Sequence, residues 1–95
     1  MEDLIKKIID FRDSRNWDDH DTPETLSKSI IIEAAELLEN FQWGENISYN
    51  HQNVKDELAD LLILILAMVH DLNLDVDTII DDKLQKIAKK YPIKN

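Results

Sequence analysis

Four carboxylates stand at one short spacing inside the two most apolar stretches of the chain. Residues 30–43 read IIIEAAELLENFQW, with Glu33 and Glu36 one helical turn apart. Residues 54–69 read VKDELADLLILILAMV, with Glu57 and Asp60 at the same interval. On an α-helix, positions i and i+3 share a face, so each pair projects together. If the two helices pack antiparallel, as a connection of roughly ten residues allows, the four acids converge. Crowded carboxylates in a half-buried patch repel and lose hydration, at a cost of several kcal/mol. Basic partners are scarce, since between residues 29 and 82 the only Lys or Arg is Lys55. A divalent cation is the economical compensation, and an all-oxygen ligand set favours Mg²⁺ or Mn²⁺ over Zn²⁺. The competing reading is a pair of solvated acidic strips, which is how Glu39 and Asp56 are read.

Two other metal chemistries fail on spacing. Carboxylate-bridged di-iron bundles use Glu-x-x-His, whereas the later position here holds Glu36 or Asp60. Two His-Asp dipeptides, His20-Asp21 and His70-Asp71, hint at a His/Asp phosphohydrolase. His51 and His70, however, fall near opposite ends of one expected helix, roughly 28 Å apart at 1.5 Å per residue. They are read as exposed helix-end residues.

The elements that must position the acids are all helical. One glycine, two prolines and no period-two alternation leave four helices. The first spans about 2–14, with Leu4, Ile5, Ile8, Ile9 and Phe11 as its apolar stripe. The second opens at DTPET, where Asp21 or Thr22 caps, Pro23 suits the first turn and Glu24 completes a capping box with Asp21. It runs to about Phe41. A loop holding the single glycine leads to a third helix over roughly 52–72. NLD breaks the chain, Asp75 or Asp77 caps, and the fourth helix reaches about Lys90. From Leu58 to Val69 only Asp60 is polar, so the third helix is apolar nearly all round and calls for burial on every side. Three partner helices of one small chain could hardly cover it. The expectation is an all-α, four-helix bundle-like chain assembling as a homo-oligomer with helix 3 central.

Composition bounds the rest. The 95 residues make one domain, 1–95, with no cysteine for disulfides or thiolate metal sites. The N-terminal MEDLIKKIIDF is amphipathic, unlike a signal peptide. The longest apolar run, Leu61 to Val69, is about half of what a bilayer requires. A soluble, cytoplasmic protein is expected. Its net charge of −9, from 20 acids and 11 bases, repels a nucleic-acid polymer. A small phosphorylated ligand stays admissible if a metal ion screens it.

The chain resembles the MazG-type nucleoside triphosphate pyrophosphohydrolases of the all-α NTP pyrophosphatase superfamily. The resemblance runs through FRDSRNW (11–17), TPETLSKSIIIEAAELLENFQW (22–43), KDELADLLILIL (55–66) and DDKLQKIAKKYP (81–92). RNW with FQW is most similar to the single-domain members that include the deoxycytidine triphosphatases. The resemblance implies a homodimer or homotetramer that binds Mg²⁺ through Glu33, Glu36, Glu57 and Asp60. It implies hydrolysis of a (d)NTP to the monophosphate and pyrophosphate; one of the four carboxylates can then serve as general base, and Glu36 is the candidate. Trp17 and Trp43 match positions where relatives set aromatic rings against the base, and stacking contributes about 1–3 kcal/mol whatever the base. Along a straight helix they would lie about 39 Å apart, so one pocket uses both only through folded-back loops or a partner subunit. Lys83 and Lys86, with Arg12 and Arg15 as a further pair, match or neighbour groups used against the triphosphate. The cytidine-type members carry an aromatic-His pair before TP where this chain has His20-Asp21, and Thr25 stands where Asn is frequent. These departures touch base preference more than chemistry.

Two other classes of function remain open at this stage. A non-catalytic dimerisation or regulatory module would use the oily helix 3 as an interface. A phosphoribosyl pyrophosphate-type substrate would keep the fold but not the base.

Overall fold

The computed structural model describes residues 1–42 and 50–94. The four helices are α1 (Glu2–Ser14), α2 (Pro23–Glu39), α3 (His51–Asp71) and α4 (Val76–Lys90), with no strand among the described residues. Helix α2 begins on a cap that the sequence left open between two residues. Thr22 takes it: its Oγ1 accepts from the Thr25 N–H at 3.1 Å, and its own N–H donates to Thr25 Oγ1 at 2.8 Å. The reciprocal partner in the box is therefore Thr25, not Glu24, because Thr22 rather than Asp21 is the N-cap. The Thr25 hydroxyl also reaches the His20 carbonyl at 3.0 Å, tying the preceding loop to the helix. Asn50 and Asp75 cap α3 and α4 by accepting from the N–H of Asn53 and Thr78.

Helices α1 and α3 end alike. Asn16 and Asn73 adopt left-handed φ of 58° and 57°, a conformation asparagine tolerates better than most residues. The N–H of Trp17 bonds to the Arg12 carbonyl and that of Asn16 to Asp13, while Leu74 and Asn73 bond to Val69 and His70. Both are Schellman ends with asparagine in the place glycine usually takes. The first aims the chain at Trp17.

Helix α3 packs against both α2 and α1. Asn53 Nδ2 donates to Asn40 Oδ1 at 3.0 Å near one end of the α2–α3 pair. Leu26 and Ala67 line one cavity at the other end, so the two helices run antiparallel, as expected. Among the described residues the buried apolar side chains are Ile9, Leu26, Leu66, Ala67 and Val69. The predicted stripe of α1 is thus only partly inward: Ile9 is buried, whereas Leu4 and Phe11 are exposed. No residue of α4 is buried, and this helix packs extensively against none of the others. The Cα radius of gyration is 16.4 Å, against about 12 Å for a compact domain of this length.

Among the described residues, the ion pairs that span the fold all centre on Arg12. Arg12, on α1, donates from both terminal nitrogens to Asp71 at the end of α3, at 2.8 and 2.9 Å. Its Nη1 also lies 3.5 Å from Asp21 in the α1–α2 connection. Arg12 is buried, and the Asp71 carboxyl is held below its usual 3.8 by the Arg12 hydrogen bonds, against the opposing effect of burial. A carboxyl depressed on folding contributes stability that is complete above its unfolded pKa and disappears as pH falls through the folded one. Arg12→Leu is expected to lower stability by about 2–3 kcal/mol at neutral pH. The gap from wild type narrows as pH drops below 3.8, and urea unfolding between pH 7 and 2.5 measures it.

Candidate functional site

Antiparallel packing brings Glu33 and Glu36 of α2 opposite Glu57 of α3. One carboxylate oxygen from each lies within 4.8 Å of the other two. Glu33 and Glu57 are half-buried, and their Oε2 atoms are shielded from solvent with no hydrogen-bond partner among the described residues. The Glu33 carboxyl is raised above 4.5, first by its contact with Glu57, then by burial and the charges of Glu57 and Asp60, while Glu36 pulls it down. Glu36 is raised too, by contact with Glu33, then by the Glu33 charge and burial, with Glu57 opposing. Buried acceptors without donors are uncommon in folded proteins and ask for an explanation. An oxygen-ligated cation is one that fits this donor set: three carboxylates, no nitrogen or sulfur, and no Lys or Arg paired with them among the described residues.

The fourth predicted acid sits apart from that triad. Asp60, one turn along α3 from Glu57, is exposed and lines a neighbouring cavity of about 350 Å³. The cavity also has Phe11, Trp17, Leu26, Ile63 and Leu64 on its walls, with Arg12 and Asp21 as further charged groups. Its volume falls at the lower end of small-ligand sites. Trp17 meets the Phe11 ring edge-on at 5.8 Å between centroids, and the Arg15 guanidinium lies 3.5 Å over the same ring. Phe11 therefore steadies the tryptophan on one side and the arginine on the other. The sequence offered it only as part of an apolar stripe.

The other candidates are placed as follows. Arg12 lines the cavity but commits its fork to Asp71. Arg15 is exposed beside Phe11, and Lys83 and Lys86 are exposed on α4. Trp43 lies outside the described residues. His51 and His70 are both exposed, as read from their positions at the ends of α3. A larger open groove of about 540 Å³ between α1 and the α3–α4 turn includes none of the three clustered carboxylates. No helix among the described residues is long and apolar enough to cross a membrane.

Residues 28–95 match the model of the MazG-like family. The chain also superposes on the crystal structure of a pyrophosphatase from Archaeoglobus fulgidus. The TM-score is 0.84 at 35% identity, over 98% of this chain and 93% of that one. No curated protein matches it significantly. The four acids, α2 from Lys28 onward, α3 and α4 fall within the matched span, and the chain belongs to the MazG-like family.

Proposed function

We propose that this protein hydrolyses a deoxynucleoside triphosphate, dCTP or a modified relative, to the monophosphate and pyrophosphate. The observation that carries the reading is the triad of Glu33, Glu36 and Glu57, brought together across α2 and α3 with two buried oxygens unpartnered. The pyrophosphatase activity named for the A. fulgidus structure supports the reaction type. Glu33, Glu36 and Glu57, with Asp60 as the ligand nearest the cavity, would hold Mg²⁺ or Mn²⁺. When bound, such an ion offsets triphosphate charge and lowers the pKa of a coordinated water. Glu36 takes the proton of the attacking water, a role open to a carboxylate that stands within the triad itself. The water cleaves the anhydride between the α- and β-phosphates.

The remaining residues bind and orient. Trp17 offers a ring face to the base in a cavity that also contains Asp60, so base and phosphate subsites adjoin. Arg15, Lys83 and Lys86 supply positive charge toward the triphosphate tail, and Trp43 is kept as a second aromatic contact. The assembly is a homodimer or homotetramer, and the setting is a cytoplasmic enzyme that removes surplus or non-standard nucleotides.

A non-catalytic interaction module would account for exposed apolar helix faces but not for three converging carboxylates. A phosphoribosyl substrate would leave the aromatic wall without a role. Pyrophosphate release from a panel of standard and 5-modified (d)NTPs with Mg²⁺ tests the reading. Turnover with a deoxycytidine preference is expected, and a folded protein inert toward every nucleotide overturns it.

A further inference from the structure

We infer that Asp21 is the specificity-determining contact of the cavity, its carboxylate accepting a hydrogen bond from an exocyclic amino group on a pyrimidine ring stacked against Trp17. The inference rests on the nucleotide reading above and names the residue that reads its base.

Asp21 has no structural task that uses its oxygens fully. The cap of α2 belongs to Thr22, and among the described residues no donor hydrogen-bonds the Asp21 carboxylate. Among the described residues its ion-pair partner is Arg12, whose Nη1 stands 3.5 Å away while hydrogen-bonding Asp71 at 2.8 Å. A carboxylate offers about four acceptor positions, so Asp21 keeps most of its lone pairs available. The side chain is 28% exposed and lines the same cavity as Trp17 and Asp60.

Position is set from three directions. Arg12 anchors the carboxylate electrostatically, the Asp21 N–H donates to the Trp17 carbonyl at 3.2 Å, and the Thr25 hydroxyl holds the adjoining His20 carbonyl. Trp17 and Asp21 are thus two walls of one short turn, a ring face and an acceptor held in fixed relation. Leu26, Ile63 and Leu64 add an apolar stretch of wall beside the charged Arg12 and Asp60, a surface that suits a planar ring. The single ring is taken from the deoxycytidine reading above, and the cavity supplies the acceptor and the ring face. An ionised carboxylate can only accept, so it attracts the amino group of cytosine and repels the carbonyl that uracil carries at that position.

The test compares wild type and Asp21→Asn by two readouts. One is kcat/KM for pyrophosphate release from dCTP and dUTP with Mg²⁺. The other is tryptophan-fluorescence titration with dCMP and dUMP in EDTA. Wild type should favour dCTP by about 10- to 100-fold, the range for one base-reading pair. The variant's amide can turn its N–H₂ toward a carbonyl, so the ratio should fall below about 3, mainly through KM. The monophosphate affinity ratio should fall with it. An unchanged ratio in the variant, a wild-type preference for dUTP, or an equal loss on both substrates with a lower melting temperature overturns the inference. If no nucleotide is hydrolysed but dCMP still outbinds dUMP in an Asp21-dependent way, the base contact stands and the hydrolase reading falls. If neither occurs, both fall.

Discussion

Glu57→Gln is expected to release pyrophosphate about a thousandfold more slowly than wild type, the scale of several kcal/mol of lost transition-state stabilisation. The same variant is expected to melt above wild type in EDTA and below it in saturating Mg²⁺. The crossing follows from the triad's geometry. Without an ion, three carboxylates with oxygens within 4.8 Å repel, and the buried Oε2 of Glu33 has no donor among the described residues. Glutamine removes one charge and brings an N–H₂ to that oxygen, so the metal-free fold gains. With an ion at 100 times its Kd, binding linkage should raise wild-type Tm by on the order of 10 °C, and the variant forfeits most of that. The pH dependence has a definite sign. Glu33 and Glu36 have folded pKa values above 4.5, so the folded protein holds more protons than the unfolded chain in that window. Metal-free wild type should therefore lose stability as pH rises through it, and Glu57→Gln should flatten the slope. Paired melts in EDTA and Mg²⁺ across pH 4 to 8 measure all of this. A metal-blind melt, or a variant less stable in both buffers, would remove the metal from the site.

The helices and the acid pairs were legible because both rest on local chemistry. Period-3.6 patterning, Pro23 at a first turn and carboxylates three residues apart need no partner to be recognised. The structure places the helix bounds within a residue or two of the expected ones, and it brings Glu33 and Glu36 to Glu57 while Asp60 stays outside that close triad. What was hidden depends on residues far apart in the chain. Arg12 and Asp71 are 59 positions apart, and nothing near either one signals a bidentate pair. Arg12 reads in sequence as a candidate triphosphate contact, and its fork also holds α1 on the end of α3. The cap at Thr22 was ambiguous for a different reason: Asp21 and Thr22 have comparable cap propensity, and only loop geometry decides. That choice matters beyond the helix, since it leaves the Asp21 oxygens facing the cavity. Phe11 was misjudged because helical phase assigns it to the stripe, while the tryptophan that recruits it lies beyond the helix end.

Disrupting the exposed apolar stripes is expected to separate the protein into monomers and silence it. Ile31 and Leu38 on α2, Leu58, Leu62 and Ile65 on α3, and Ile80, Leu84 and Ile87 on α4 are all exposed. Their spacings of three, four and seven place each set on one helix face. Ile31 is 70% exposed and Leu62 and Leu84 are each 55% exposed, values typical of charged rather than aliphatic side chains. The few buried apolar residues and the extended dimensions point the same way, because a 95-residue chain needs more burial than this to be stable alone. A second copy is the occupant proposed for these faces. It would cover the oily side of α3 and give α4 something to pack on. Sedimentation equilibrium should return two or four times the 11.1 kDa chain mass. Leu62→Asp removes roughly 2 kcal/mol of burial, and a symmetric dimer carries the change twice, so Kd should weaken by about a thousandfold. Turnover should fall with it, since α4 would lose the surface that fixes Lys83 and Lys86. Ile93→Lys provides the control: that side chain is 90% exposed beyond the end of α4, and its substitution should leave both assembly and rate unchanged. Wild type that stays monomeric at micromolar concentration, with a cooperative melt, would mean the stripes serve some other surface. Retained turnover in a monomeric Leu62→Asp protein would confine the site to one chain.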